Sequence, residues 1–258
     1  MLYSALMLAF MVVAFVYASV GFGGGSSYLA ILAMAALPFP EIRITALLCN
    51  IVVVMGNSIL FAQRKQLNWR KCVPLILCSV PMAFLGAMVP MRETMFFGLL
   101  GVVLVLASVV LWFQPNKQRS NAPPEVARHP IRDSLLGASI GWLSGLVGIG
   151  GGIFLSPILH FLRWDDGKKI AAMASLFILA NSFMGLVGQL MFHKAVLNWP
   201  LIIGLALAVA TGGQLGLRVS LTQYSEAVVR KWTAAVVLFA GLEVLWKHIF
   251  VAVLGFRL

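Results

Sequence analysis

Val20-Gly21-Phe22-Gly23-Gly24-Gly25 and, 127 residues later, Val147-Gly148-Ile149-Gly150-Gly151-Gly152 decide how this chain folds. Each stretch interrupts an apolar run, and each is followed by a second, shorter apolar run. Four glycines in five positions let a backbone turn sharply and approach a ligand closely. Inside a membrane-thickness apolar stretch, such a break exposes amide groups that lipid cannot satisfy, so it belongs inside protein or beside a water-filled site. The two breaks read as the halves of one substrate site.

Of 258 residues, 61% are hydrophobic and 10% charged, where a soluble domain carries about 25% charged residues. Several charge-free runs of membrane-spanning length indicate an all-α polytopic membrane protein, and the short alternating segments of a membrane barrel are absent. The net charge of +11 could suggest nucleic acid, but the basic residues sit in short loops between apolar runs, where topology signals lie. No nucleic-acid partner is expected. Cys49, Cys72 and Cys78 lie in or beside apolar runs without metal-ligand spacing and read as inert thiols. No metal, cofactor or catalytic constellation is expected. Met1-Leu2-Tyr3-Ser4 lacks the basic residue of a signal peptide, and a related segment recurs in mid-chain.

The apolar segments fall into two series. The first comprises Leu2 to Val20, Ser26 to Leu37, Ile44 to Ala62, Cys72 to Val89 and Met95 to Phe113. The second comprises Ser134 to Val147, Ile153 to Leu162, Ile170 to Phe192, Pro200 to Leu217 and Ala227 to Trp246. Residues 1–113 thus form a first membrane repeat and 134–258 a second, joined by a polar cytoplasmic linker at 114–133. Leu67-Asn68-Trp69 matches Leu197-Asn198-Trp199, Gly86 matches Gly216, and Thr45 matches Ser175, all at an offset of 130. Pro38 to Arg43 reads as a turn. Trp69, Trp112, Trp164, Trp199, Trp232 and Trp246 fall near segment ends, as interfacial anchors do.

Charge sets the topology. If the first two segments of each repeat form a hairpin, 14 of the 19 Lys and Arg residues share one face and five lie on the other. With one kinked span instead, the split is 11 to eight. The positive-inside rule favours hairpins, a cytoplasmic basic face and both termini outside. A hairpin plus three spans per half leaves the second copy upside down. Inverted repeats with broken helices at their interface are the pattern of a secondary transporter.

The short segments after the breaks begin with first-turn amides that have no intrahelical partner, and each carries the positive end of a helix dipole. Facing one another, they make an anion site without cationic side chains. The candidate substrate-binding residues are Gly23, Gly24, Gly25, Ser26, Ser27, Thr45 and Asn50 in the first half. Gly150, Gly151, Gly152, Ser175 and Asn181 are those of the second. Asn57, Gln189, Thr211 and Gln214 are further candidates to line the path. For the amides, gluing helices together is an equal alternative, and the glycines would also serve simple close packing. Glu243, an acid in a late apolar run, reads as an exposed pair with Lys247. His160 and His193 lie near segment ends without partner spacing. No Gly-Lys-Ser/Thr occurs, so no nucleotide motor is expected.

The glycine breaks, the Leu-Asn-Trp repeats and the duplicated layout resemble the sulfite exporter TauE/SafE family. Asn50, Arg64, Trp69, Pro74, Pro81 and Gly86 also look like that family's first-half pattern. The resemblance covers essentially the whole chain. It implies a bacterial inner-membrane permease exporting sulfite, sulfonates or other small organic oxyanions. The second half departs from the family's Gly-Thr-Ser, reading Met173-Ala174-Ser175. A non-rocking anion channel and a non-transport membrane assembly protein are the alternatives. The residues leave open whether the chain forms a homodimer.

Overall fold

The computed structural model describes residues 2–19, 21–35, 37–113, 130–162, 164–165, 167–192, 196–220 and 226–246. These form ten helices in two sets of five: α1 Leu2–Ala18, α2 Gly25–Met34, α3 Phe39–Gln63, α4 Trp69–Met88 and α5 Glu93–Phe113, then α6 Pro130–Val147, α7 Gly152–Phe161, α8 Gly167–Phe192, α9 Trp199–Ser220 and α10 Glu226–Leu245. The segment order is the one read from hydropathy. Five helices are long and apolar enough to cross a membrane: α3, α4, α5, α8 and most of α9. With ten residues each, α2 and α7 reach only about 15 Å, half a bilayer core. Most of the expected linker lies outside the described residues, but its end at Pro130 to Asp133 is already the first turn of α6.

The halves do not stand side by side. Close approach is set by glycines, because lipid offers apolar helices no hydrophobic reason to associate and packing must supply it. On α6, Gly137, Gly141 and Gly145 lie on the backbone of Leu75, Ser79 and Ala83 of α4. On α9, Gly212 and Gly216 lie on the backbone of Met11 and Phe15 of α1. The first helix of each half is therefore seated, parallel, on the fourth helix of the other. Gly86 and Gly216, matched in sequence, do the same work in the two seams.

The equivalent helices α3 and α8 pack against each other in opposite directions. Leu47 meets Gly185, Asn50 meets Ser182, and Phe61 shares a cluster with Ala172. The pair α5 and α10 is also antiparallel, with Gly101 on Leu245 and Gly241 on Leu104. The outward faces are apolar at helical spacing, as Leu8, Val12 and Phe15 on α1 or Val102, Leu106 and Val109 on α5 illustrate.

Two residues depart from their expected places. Trp164 is buried, its indole Nε1–H donating to Asp133 Oδ2 at 3.4 Å, because the loop before α8 is held against the start of α4, where Lys71 Nζ donates to Trp164 O. Arg43 is no turn residue. Pro40 sits in the first turn of α3, where a missing N–H costs nothing, and Arg43 follows it inside the helix and fully buried.

Candidate functional site

Both breaks place left-handed glycines at two matched positions, and the second adds a third at Gly150, with φ 82°. Gly21, with φ 83°, ends α1 in a paired cap: its N–H donates to Ala18 O at 3.1 Å and Phe22 N–H to Tyr17 O at 2.9 Å. Gly148, with φ 72°, ends α6 by donating to Ser144 O at 2.7 Å. Three residues on in each half, Gly24 (φ 86°) and Gly151 (φ 80°) stand at the N-caps of α2 and α7. Left-handed backbone at these paired positions is what glycine permits and a side chain resists.

The two breaks touch. Asn50, buried on α3, holds them together: its Oδ1 accepts from Gly25 N–H at 3.2 Å, and its Nδ2 donates to Ile149 O at 3.2 Å and Ser182 Oγ at 2.8 Å. Gly23 packs on Asn50, and Gly150 lies against Asn50 and Ser182. On the other side, Ser175 Oγ donates to Gly21 O at 2.6 Å. Asn57 Nδ2 reaches Phe22 O at 3.5 Å. Each half's long third helix thus supports the break of one or both halves at the centre of the bundle.

The remaining sequence candidates divide. Gly24, Gly151 and Gly152 are buried at the helix starts. Ser26 and Ser27 face back into their own hairpin, where Tyr17 Oη lies 3.3 and 2.8 Å from their hydroxyls. Thr45 is fully buried, and its Oγ1 has no partner among the described residues. Asn181 turns away from the breaks toward α4, donating to Ser79 Oγ at 3.1 Å and Phe177 O at 2.8 Å. Gln189 likewise bonds Ala87 O of α4 at 3.0 Å. Thr211 and Gln214 are exposed on α9, and the Thr211 hydroxyl returns to its own helix. The Glu243 side chain and His193 lie outside the described residues.

Sequence reasoning passed over two residues at this centre. Ser182, adjacent to Asn181, is the one that meets Asn50, and a lone serine in an apolar run carries no mark of such a role. Arg43 donates through Nη2 to Leu146 O at 3.0 Å and Gly145 O at 3.4 Å, the last turn of α6 just before its break. Its guanidinium carbon lies 5.0 Å from the Phe96 ring centre and 5.7 Å from that of Phe39. The proline at the start of α3 was the available signal, since it places Arg43 one turn into a helix.

The polar atoms here exceed the bonds they make. Arg43 Nε, Thr45 Oγ1, Asn57 Oδ1, Ser58 Oγ and Ser144 Oγ are all buried and unpartnered among the described residues. Each such atom costs about 1–3 kcal/mol if left dry, so the region is suited to hold water or a polar ligand. Among the described residues no cluster of His, Cys, Asp or Glu could hold a metal ion.

Comparison with known proteins gives a family and several relatives. The family model described as sulfite exporter TauE/SafE matches residues 6–244. A Sinorhizobium fredii protein named as a probable membrane transporter, y4hK, is 31% identical, over 93% of this chain and 97% of its own length. A probable membrane transporter of Xylella fastidiosa is 28% identical over 87% and 88%, and YunE of Bacillus subtilis, so named too, is 21% identical over 82% and 83%. No solved structure matches.

Proposed function

We infer the function from one premise: this chain belongs to the sulfite exporter TauE/SafE family, and it is a multi-pass membrane transporter. Its substrate, in this reading, is a small sulfur-containing or organic oxyanion, exported across a bacterial inner membrane. The anion binds where the two glycine breaks meet, held by the first-turn amides of α2 and α7. The observation that carries this is the contact of the two breaks through Asn50, with Gly25 on one side and Ile149 on the other.

The antiparallel packing of α3 on α8 and of α5 on α10 supports inverted repeats, each a hairpin plus three spans. Both termini then lie outside the cytoplasm. Burial of Asn50, Ser175 and Ser182 suits a conformation closed to both faces. Alternating access would move bodies drawn from both halves, since the glycine seams bind α1 to α9 and α4 to α6.

The test is flux in proteoliposomes of the purified chain, with sulfite, sulfoacetate, taurine, thiosulfate and acetate, with and without a proton gradient. Accumulation of one of the oxyanions against its gradient is expected. Only downhill, gradient-insensitive flux would make the chain a channel, and no flux of any anion would refute the reading.

A further inference from the structure

We propose that Arg43 supplies the positive charge that binds the substrate anion, presenting its Nε–H to the space in front of Gly148. This rests on the anion-transport reading above and replaces a site made of neutral amides alone with one that carries a single built-in cation. Arg43 is the largest fully buried side chain among the described residues and is 1% exposed. No carboxylate among the described residues pairs with it. The nearby acid on α3, Glu41, instead accepts from Asn198 N–H at 3.0 Å.

A buried guanidinium without a counter-ion is costly, and the carbonyls of Gly145 and Leu146 and the faces of Phe39 and Phe96 neutralise it only in part. Those contacts fix one edge of the fork through Nη2. Nε remains buried and unpartnered among the described residues. That free donor lies beside Gly148. A Cβ built on Gly148 would find Arg43 Nε at 4.0 Å and nothing nearer, whereas other glycines of the two breaks meet neighbours at far shorter range.

The placement also suits a shared site. Arg43 and Asn50 are seven residues apart on α3, hence two turns along one face; Arg43 reaches Leu146 just before the second break and Asn50 reaches Ile149 within it. An anion at Gly148 would sit between the arginine and the junction of the breaks. The arrangement has no counterpart in the second half, where the matched position is the buried Met173. One cation in a two-fold scaffold fits one compact anionic group, a sulfite, sulfonate or carboxylate, rather than two.

The experiment compares wild type with Arg43→Met, the residue the second half uses, and Arg43→Lys, in proteoliposomes with radiolabelled sulfite, alongside the rise in thermal midpoint that sulfite gives each purified protein. Loss of a charged hydrogen bond should raise KM about 10- to 100-fold in Arg43→Met and abolish its sulfite-dependent stabilisation. Arg43→Lys, which keeps the charge but cannot reach both the α6 carbonyls and the Nε position, should transport with a KM raised about tenfold. A wild-type KM in either folded variant overturns the proposal while leaving the transporter reading intact. If Arg43→Met does not fold, Arg43→Lys decides alone. Wild type that moves no anion of the panel would remove the transporter reading and this inference with it.

Discussion

Asn50 Nδ2 donates to the backbone oxygen of Ile149 at 3.2 Å, a bond between residues 99 apart that joins the second glycine break to the helix supporting the first. The same side chain accepts from Gly25 N–H, so donor and acceptor ends of one amide serve the two breaks. Only an amide has this polarity in this shape.

Asn50→Asp keeps the acceptor for Gly25 but sets an oxygen against Ile149 O, and it brings negative charge to an anion site. Transport should vanish, and the thermal midpoint should fall. Asn50→Ala strands the Gly25 N–H and removes two further bonds, for an expected loss of about 2–4 kcal/mol. Flux and unfolding measured on both variants check this. Robust sulfite flux in Asn50→Asp would show that the anion passes elsewhere.

Glycines of one break should differ in tolerance. Gly148→Ala makes only an ordinary contact, with Arg43 Nε at 4.0 Å, and pays for its left-handed backbone, about 1–2 kcal/mol. Gly150→Ala bears the same strain and drives its Cβ to 2.6 Å from Ser182 Oγ and 2.7 Å from Asn50 Nδ2, so it should cost clearly more and disrupt the junction. Thermal unfolding of the pair decides it. Equal losses would mean the junction relaxes freely.

How much of this was readable beforehand follows from what each feature leaves in the sequence. The two breaks were legible because left-handed backbone at Gly21, Gly24, Gly148 and Gly151 demands glycine, which marks composition twice at one spacing. Helix order was legible because lipid-spanning runs must be apolar. The partners were not. Ser182 meets Asn50 across 132 residues, and Asn181 beside it turns to Ser79 of α4 instead, a difference of one helical position that hydropathy does not resolve. Arg43 was hidden by its neighbours, since Pro38-Phe39-Pro40 suggests a turn as readily as a helix start. Trp164 was misplaced because near a segment end an indole buried on Asp133 and one anchored in headgroups look alike.

The seams predict a second contrast. Gly141 rests on the Ser79 backbone, and Gly141→Leu would push α6 off α4, so folded yield should drop severely. Gly185 faces Leu47 at an ordinary 3.8 Å, and Gly185→Ala should be neutral or gain up to about 1 kcal/mol through helix propensity. Size-exclusion profiles in detergent test both. A monodisperse, stable Gly141→Leu would argue against the seam as a packing constraint.

Orientation can be tested by thiol labelling. Cys49 and Cys72 are buried, so in a Cys78→Ala background the engineered thiol is the accessible one among these positions. Lys65→Cys, in the exposed loop before α4, should react only from the cytoplasmic side, and Arg92→Cys, in the loop before α5, only from outside. Reaction of both from one face would contradict a single crossing by α4.

Just before α8, Asp165 pairs with Lys71 of α4 at 3.1 Å and with Lys169 of α8 at 3.0 Å. The two bonds are nearly equal in length but not in surroundings. Lys71 is 19% exposed, also donates to Trp164 O at 2.9 Å and lies 5.2 Å from that ring, whereas Lys169 is 42% exposed in an i,i+4 pair. Solvent and salt weaken the second more than the first. Double-mutant cycles with Lys71→Met or Lys169→Met against Asp165→Asn should give a coupling of about 1–2 kcal/mol for the inter-half pair and at most about 0.5 kcal/mol for the local one. If the local pair couples as strongly, Asp165 braces the start of α8 rather than tying it to α4, and the halves are held here by the Lys71 bond to Trp164 O and by the glycine seams.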